Sequence, residues 1–235
     1  MLNFMKLGIK GLVANKGWVM TEKLPQVGIL LFFLGAAFYL AVLPFIAYPV
    51  NSFIKPVPIF LLIIISWLTT SDKTTKLWLI TALVFSLLGD IILTVAAEWA
   101  FKLGILFFVL AHCAYIRLYI KDAQLKLTRT LYFLPVLLFV LISYWSMWPS
   151  LGQMTLPATI YLCFLTFMVF TAFQVKQYPI LISGGSCLFL LSDFILALTQ
   201  FVLVETNITN LLIMLTYYLA QFLLVLGITK RKVAI

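Results

Sequence analysis

The chain has 235 residues, 64% of them hydrophobic and 10% charged, with a formal net charge of +9. A mean hydropathy of +1.16 excludes a water-soluble domain, whose surface does not tolerate that much apolar area. The apolar runs are too continuous for the strands of a membrane barrel, which leaves an all-α polytopic membrane protein.

The first 25 residues are basic and only scattered with apolar side chains. They hold no continuous apolar core and no small-residue cleavage site, so they do not read as a signal peptide. Residues 1–25 are expected to form an interfacial segment or an extension without chemistry, and residues 26–235 the transmembrane domain.

Eight apolar runs come next, each near the ~20 residues that a spanning helix needs. They lie near residues 26–48, 55–70, 76–97, 99–121, 129–148, 152–174, 178–204 and 209–228. With the N-terminus cytoplasmic, the inner loops collect nearly all Lys and Arg, and only Lys55 and Lys102 fall outside. Both termini are therefore expected in the cytoplasm. The charge is explained by topology and attraction to membrane lipids, with no need for nucleic acid. The same bias, with no sorting motif, fits a bacterial inner membrane. Cys113, Cys163 and Cys187 lie in apolar runs without metal-site or disulfide spacing.

Two acids interrupt this pattern. Asp90 sits in SLLGDIIL (86–93) and Asp193 in FLLSDFIL (189–196). A carboxylate at a helix centre in lipid costs about 2.5–3.5 kcal/mol on insertion scales, so such residues face cavities and commonly have a function. Their surroundings suggest a four-plus-four repeat: Pro56 precedes Asp90 as Pro157 precedes Asp193, and L-A-H at 110–112 is echoed by L-A-Q at 219–221.

Helical spacing groups further polar residues with these acids. Ser86, Asp90 and Thr94 share one stripe, and Ser186, Asp193 and Gln200 another. Gly104, Phe108, His112, Tyr115 and Tyr119 share a face, and Tyr217 or Tyr218 joins Gln221. The structural alternatives are hydrogen-bonded braces between helices for the polar groups, close helix contact for S-G-G-S at 183–186, and an interfacial belt for Trp99, Tyr144, Trp145 and Trp148.

Several motifs occur in order: I-K-P (54–56), S-L-L-G-D (86–90), F-K-L-G-I-L-F-F-V-L-A-H-C-A-Y (101–115), Tyr161 with Met168, G-G-S-C-L-F-L-L-S-D (184–193) and Y-Y-L-A-Q (217–221). From about residue 30 onward the chain resembles the YhhN family, which includes the lysoplasmalogenases. The resemblance implies a hydrolase that cleaves the vinyl ether of lysoplasmalogens, releasing a fatty aldehyde and glycerophosphoethanolamine or glycerophosphocholine.

That reaction starts with proton transfer to the β-carbon of the enol ether and passes through an oxocarbenium ion to a hemiacetal. It needs an acid and a nearby anion, the work of paired carboxylates around the comparable cation in glycoside hydrolysis. Asp90 and Asp193 are assigned these roles without deciding which is which. His112 is expected to position a carboxylate or relay a proton. Tyr115, Tyr218, Gln221, Ser86 and Ser186 are expected to bind water or glycerol oxygens, and Lys55 the phosphate of the lysophospholipid. No cofactor is called for, and a single histidine makes a zinc centre an unusual alternative. A proton-coupled transporter or lipid-binding protein using the same acids is the rival reading; such transporters have interrupted helices at the site, and neither aspartate motif contains a proline. Nothing in the sequence specifies an oligomeric state.

Overall fold

The computed structural model describes residues 26–231, so the basic segment 1–25 lies outside the described residues. The described chain is all-helical, with eight segments long and apolar enough to cross a membrane, and the protein is an integral membrane protein. Helix α1 (residues 26–42) runs into a 3-10 turn at Leu43–Phe45. After it come α2 (Val50–Ile54), α3 (Val57–Thr69), α4 (Lys73–Ile92), α5 (Glu98–Ile120), α6 (Leu127–Met147), α7 (Thr155–Gln174), α8 (Pro179–Phe201) and α9 (Asn207–Thr229).

Local chemistry sets several of these boundaries. Asp72 caps α4, its Oδ2 accepting from the Thr75 amide at 2.7 Å. Thr206 and Thr209 form a reciprocal capping box at the start of α9. The second span, expected at 55–70, instead covers Val50–Thr69 and is broken between α2 and α3. Pro56 and Pro58 lack the amides that would continue the α2 ladder to Ser52 and Ile54, which accounts for the break.

The third span also ends earlier than hydropathy suggests. The run stays apolar to Ala97, but α4 closes at Ile92. Thr94 returns its hydroxyl to the Ile91 carbonyl at 2.7 Å, and the Thr94 and Val95 amides bond to Ile91 and Ile92, tightening the last turn. Asp90 is therefore in the final turn of its helix, which ends at Ile92.

Helix α8 packs along α9 and α4 along α5, with α5 meeting α7, α3 lying between α4 and α9, and α6 resting mainly on α7. Gly185 permits the α8–α9 approach: a Cβ there would stand 2.8 Å from Leu224 Cδ2 and 3.1 Å from the Ala220 carbonyl oxygen. The adjacent Gly184 has nothing within 4 Å of the same position, so only one glycine of S-G-G-S serves the contact.

Candidate active site

Asp90 is buried, 2% exposed, and is held from two directions. Tyr217 on α9 donates its hydroxyl proton to Oδ2 at 2.8 Å, and the Lys55 ammonium stands 3.6 Å from Oδ1. Lys55 occupies the α2–α3 break, and its carbonyl accepts the Tyr218 hydroxyl at 2.7 Å. The break thus places a cation beside Asp90, and Tyr218 secures the break.

Asp193, half-buried on α8, has different company. The Tyr161 hydroxyl of α7 donates to its Oδ2 at 2.5 Å and lies 3.2 Å from His112 Nε2. A phenol has one proton, and Tyr161 gives it to Asp193, so the Tyr161 oxygen accepts from His112 and the imidazole carries its proton on Nε2. His112 Nδ1 has no hydrogen-bond partner, and the ring is fully buried behind Tyr161. Asp90 thus has a cationic partner, whereas Asp193 ends a chain of neutral donors.

The two carboxylates line one cavity of about 200 Å³. Tyr39, Asn51, Lys55, Gln200 and Tyr217 contribute polar wall, and Glu205 with Asn210 stands at its exposed side, joined by a 2.7 Å hydrogen bond. A second chamber of about 110 Å³ adjoins it, walled almost wholly by apolar side chains of α5, α6, α7 and α8. Leu93, Phe101, Phe108, Asp193 and Leu196 line both spaces. Asp193 is the carboxylate at that junction.

Of the residues expected at the site, Asp90, Asp193 and Lys55 meet in the cavity. His112 reaches it through Tyr161. Tyr115, Gln221 and Ser86 form a buried network beneath Asp90: Tyr115 donates to Gln221 Oε1 at 2.6 Å, and Gln221 Nε2 donates to Ser86 at 3.0 Å and to Tyr217 at 3.4 Å. Ser186 lies within 3.4 Å of the Tyr119 hydroxyl, away from both chambers. Sequence reasoning assigns no catalytic or binding role to Tyr161 or to Tyr39, Asn51, Gln200, Glu205 and Asn210 of the cavity wall, and leaves Tyr217 undistinguished from Tyr218. A tyrosine near the middle of a spanning helix, far from the interfacial belt, is the one local signal that marks Tyr161. Among the described residues no three or more His, Cys, Asp or Glu side chains cluster in a way that could hold a metal ion.

The motifs surrounding this cavity belong to a known family model, that of the YhhN family, which matches residues 50–228. The chain belongs to the YhhN family. A Bos taurus protein of this kind, named lysoplasmalogenase, is 30% identical over 201 residues, 78% of this chain and 80% of its own length. Proteins named lysoplasmalogenase from Mycobacterium bovis and Mycobacterium tuberculosis are each 31% identical over 133 residues, 54% of this chain. The match spans about half the length of those mycobacterial relatives, 51%. No solved structure matches. The matched stretch of this YhhN chain contains Lys55, Asp90, His112, Tyr161, Asp193 and Tyr217, hence both carboxylates with the ion-pair and hydrogen-bond partners described above.

Proposed function

We propose that this YhhN protein hydrolyses the vinyl ether bond of a lysoplasmalogen, releasing a fatty aldehyde and glycerophosphoethanolamine or glycerophosphocholine. The observation that carries the reading is the junction at Asp193, where a polar cavity meets an apolar chamber. A lysoplasmalogen has the same division, with a vinyl ether between one aliphatic chain and a charged head group. The names of the bovine and mycobacterial relatives support the same reaction.

The partners of the two acids divide the roles. Asp193, beside the apolar chamber and hydrogen-bonded only by neutral Tyr161, is the proton donor to the β-carbon. Asp90, paired with Lys55, remains a carboxylate, stabilises the oxocarbenium ion and takes a proton from the water that adds to the α-carbon. The hemiacetal then collapses: its hydroxyl proton leaves, the C–O bond to glycerol breaks, and the glycerol oxygen is protonated. The sum is one water consumed, one aldehyde and one alcohol formed. Lys55, with ammonium protons beyond its single contact to Asp90, is placed for the phosphate, and Glu205 for a cationic head group.

The paired packing of α4 with α5 and of α8 with α9 supports the four-plus-four repeat, and the Lys and Arg bias supports cytoplasmic termini in a bacterial inner membrane. One observation favours the transporter reading, the helix break that places Lys55 beside Asp90. A single experiment separates the two. Purified protein is given 1-alkenyl lysophospholipid and its 1-acyl and 1-alkyl counterparts. Aldehyde from the alkenyl lipid alone is the expected result; absence of aldehyde, with proton-coupled lipid movement in vesicles, overturns it.

A further inference from the structure

The apolar chamber at Asp193 is too small for its expected occupant. Pockets that enclose drug-sized ligands run to roughly 300–1,000 Å³, and this chamber has about 110 Å³. A long aliphatic chain beginning at Asp193 has to leave the chamber.

The structure provides an exit between α6 and α7. A lipid-facing groove of about 470 Å³ runs along that seam and shares Val140, Tyr144 and Leu162 with the chamber. It extends from Thr159 to Phe170 on α7, roughly 16 Å at 1.5 Å per residue. Its wall is apolar except for isolated hydroxyl and thiol groups, so it offers nothing to a head group.

Helix α6 is built to yield here. Its buried residues are Phe133, Val140 and Met147, seven apart, and all three line the groove or the chamber. Pro135 interrupts its hydrogen-bond ladder. At one end the seam is held by Arg129, which donates to the Gln174 carbonyl at 2.8 Å. At the chamber end it is held by a hydrogen bond between Tyr144 and Thr159. Thr159 gives its only hydroxyl proton to the Thr155 carbonyl at 2.6 Å, so Tyr144 is the donor. Tyr144 thus does more than sit in an interfacial belt: it closes the seam beside the chamber.

We propose that the α6–α7 groove binds the distal part of the substrate's aliphatic chain and is the lateral portal through which that chain enters from the bilayer, opening where Tyr144 releases Thr159. This rests on the lysolipid reading of the cavity. Its physical basis is adjacency: the groove shares Val140, Tyr144 and Leu162 with the chamber, the chamber shares Asp193 with the carboxylate cavity, and Asp193 is the first carboxylate or cationic side chain met in that order. At the chamber end the polar tie to be released is one neutral hydrogen bond, from Tyr144 to Thr159.

The test uses the full chain in lipid nanodiscs and a non-cleavable 1-alkyl lysophosphatidylethanolamine with a diazirine at its chain terminus. Photolabelling is expected within residues 133–141 and 163–170; labelling confined to α1, α9 or residues 199–210 overturns the proposal. Cys163 is exposed in the groove and supplies a second readout. A bulky N-alkyl maleimide should lower the labelling yield at least fivefold in the wild type, while Cys163→Ser, compared with its own untreated sample, does not respond. An equal response in both overturns the portal. With cleavable lipids, the modified wild type should lose at least tenfold in kcat/KM for a long alkenyl chain and keep it for a four-carbon one. Failure to release aldehyde from any substrate would defeat the hydrolase reading alone, because chain-end labelling does not require turnover.

Discussion

Tyr161 joins His112 to Asp193, lying 3.2 Å from the imidazole Nε2 and donating to the carboxyl at 2.5 Å. It holds one oxygen of Asp193, and in the proposed mechanism the other oxygen delivers the proton. Tyr161→Phe should lower kcat about 10–100-fold with KM within roughly threefold, whereas Asp193→Asn removes the acid and should cost about 10²–10⁴-fold. Steady-state aldehyde release reads both. A Tyr161→Phe enzyme with full kcat would remove Tyr161 from the mechanism.

The Lys55–Asp90 pair makes a prediction about stability. Removing one partner of a buried pair leaves an uncompensated charge and costs about 3–5 kcal/mol, while removing both charges is far less harmful. Lys55→Met should therefore lower the melting temperature clearly, and Lys55→Met combined with Asp90→Asn should regain most of the loss. Thermal unfolding in detergent checks this; a double variant melting no higher than Lys55→Met would mean that the two charges do not compensate one another in the fold.

Gln221 separates structure from catalysis. Its amide satisfies Tyr115, Ser86 and Tyr217, yet it lines neither chamber. Gln221→Leu strands buried hydroxyls and should destabilise the protein by about 1–3 kcal/mol. Activity per folded molecule should fall less than tenfold. A stable but inactive Gln221→Leu protein would instead put Gln221 in contact with substrate.

Asp72 gives a pH dependence at the other end of α4. The hydroxyl of Thr75, and then its amide, hold the Asp72 carboxyl below the usual carboxylate range. A group depressed in this way stabilises the fold at neutral pH and loses that contribution as pH falls through its lowered value. The melting-temperature gap between wild type and Asp72→Ala should be constant from about pH 8 to 5 and close below about pH 4, near the ordinary aspartate value. A gap that persists at low pH would show that the cap does not act through the ionised carboxylate.

Length, hydropathy and the cost of an intramembrane acid are local properties, legible in the chain without its fold. They yield eight spanning segments and two intramembrane acids read as a pair, with His112 expected beside them and Lys55 expected on a phosphate, not on Asp90. They do not yield the end of α4, because Thr94 turns the chain through its own hydroxyl within a run that remains apolar. Nor do they separate Tyr217 from Tyr218, adjacent residues that differ by about 100° around α9: one faces Asp90, the other the Lys55 carbonyl. Helix packing alone brings Ser86, Tyr115 and Gln221 into one bonded network beneath the cavity, sets Tyr161 between His112 and Asp193, and opens an apolar chamber at Asp193. Periodicity establishes which side chains share a face, but hydrogen bonds and cavities are made between faces, and those depend on which helices pack together and how closely.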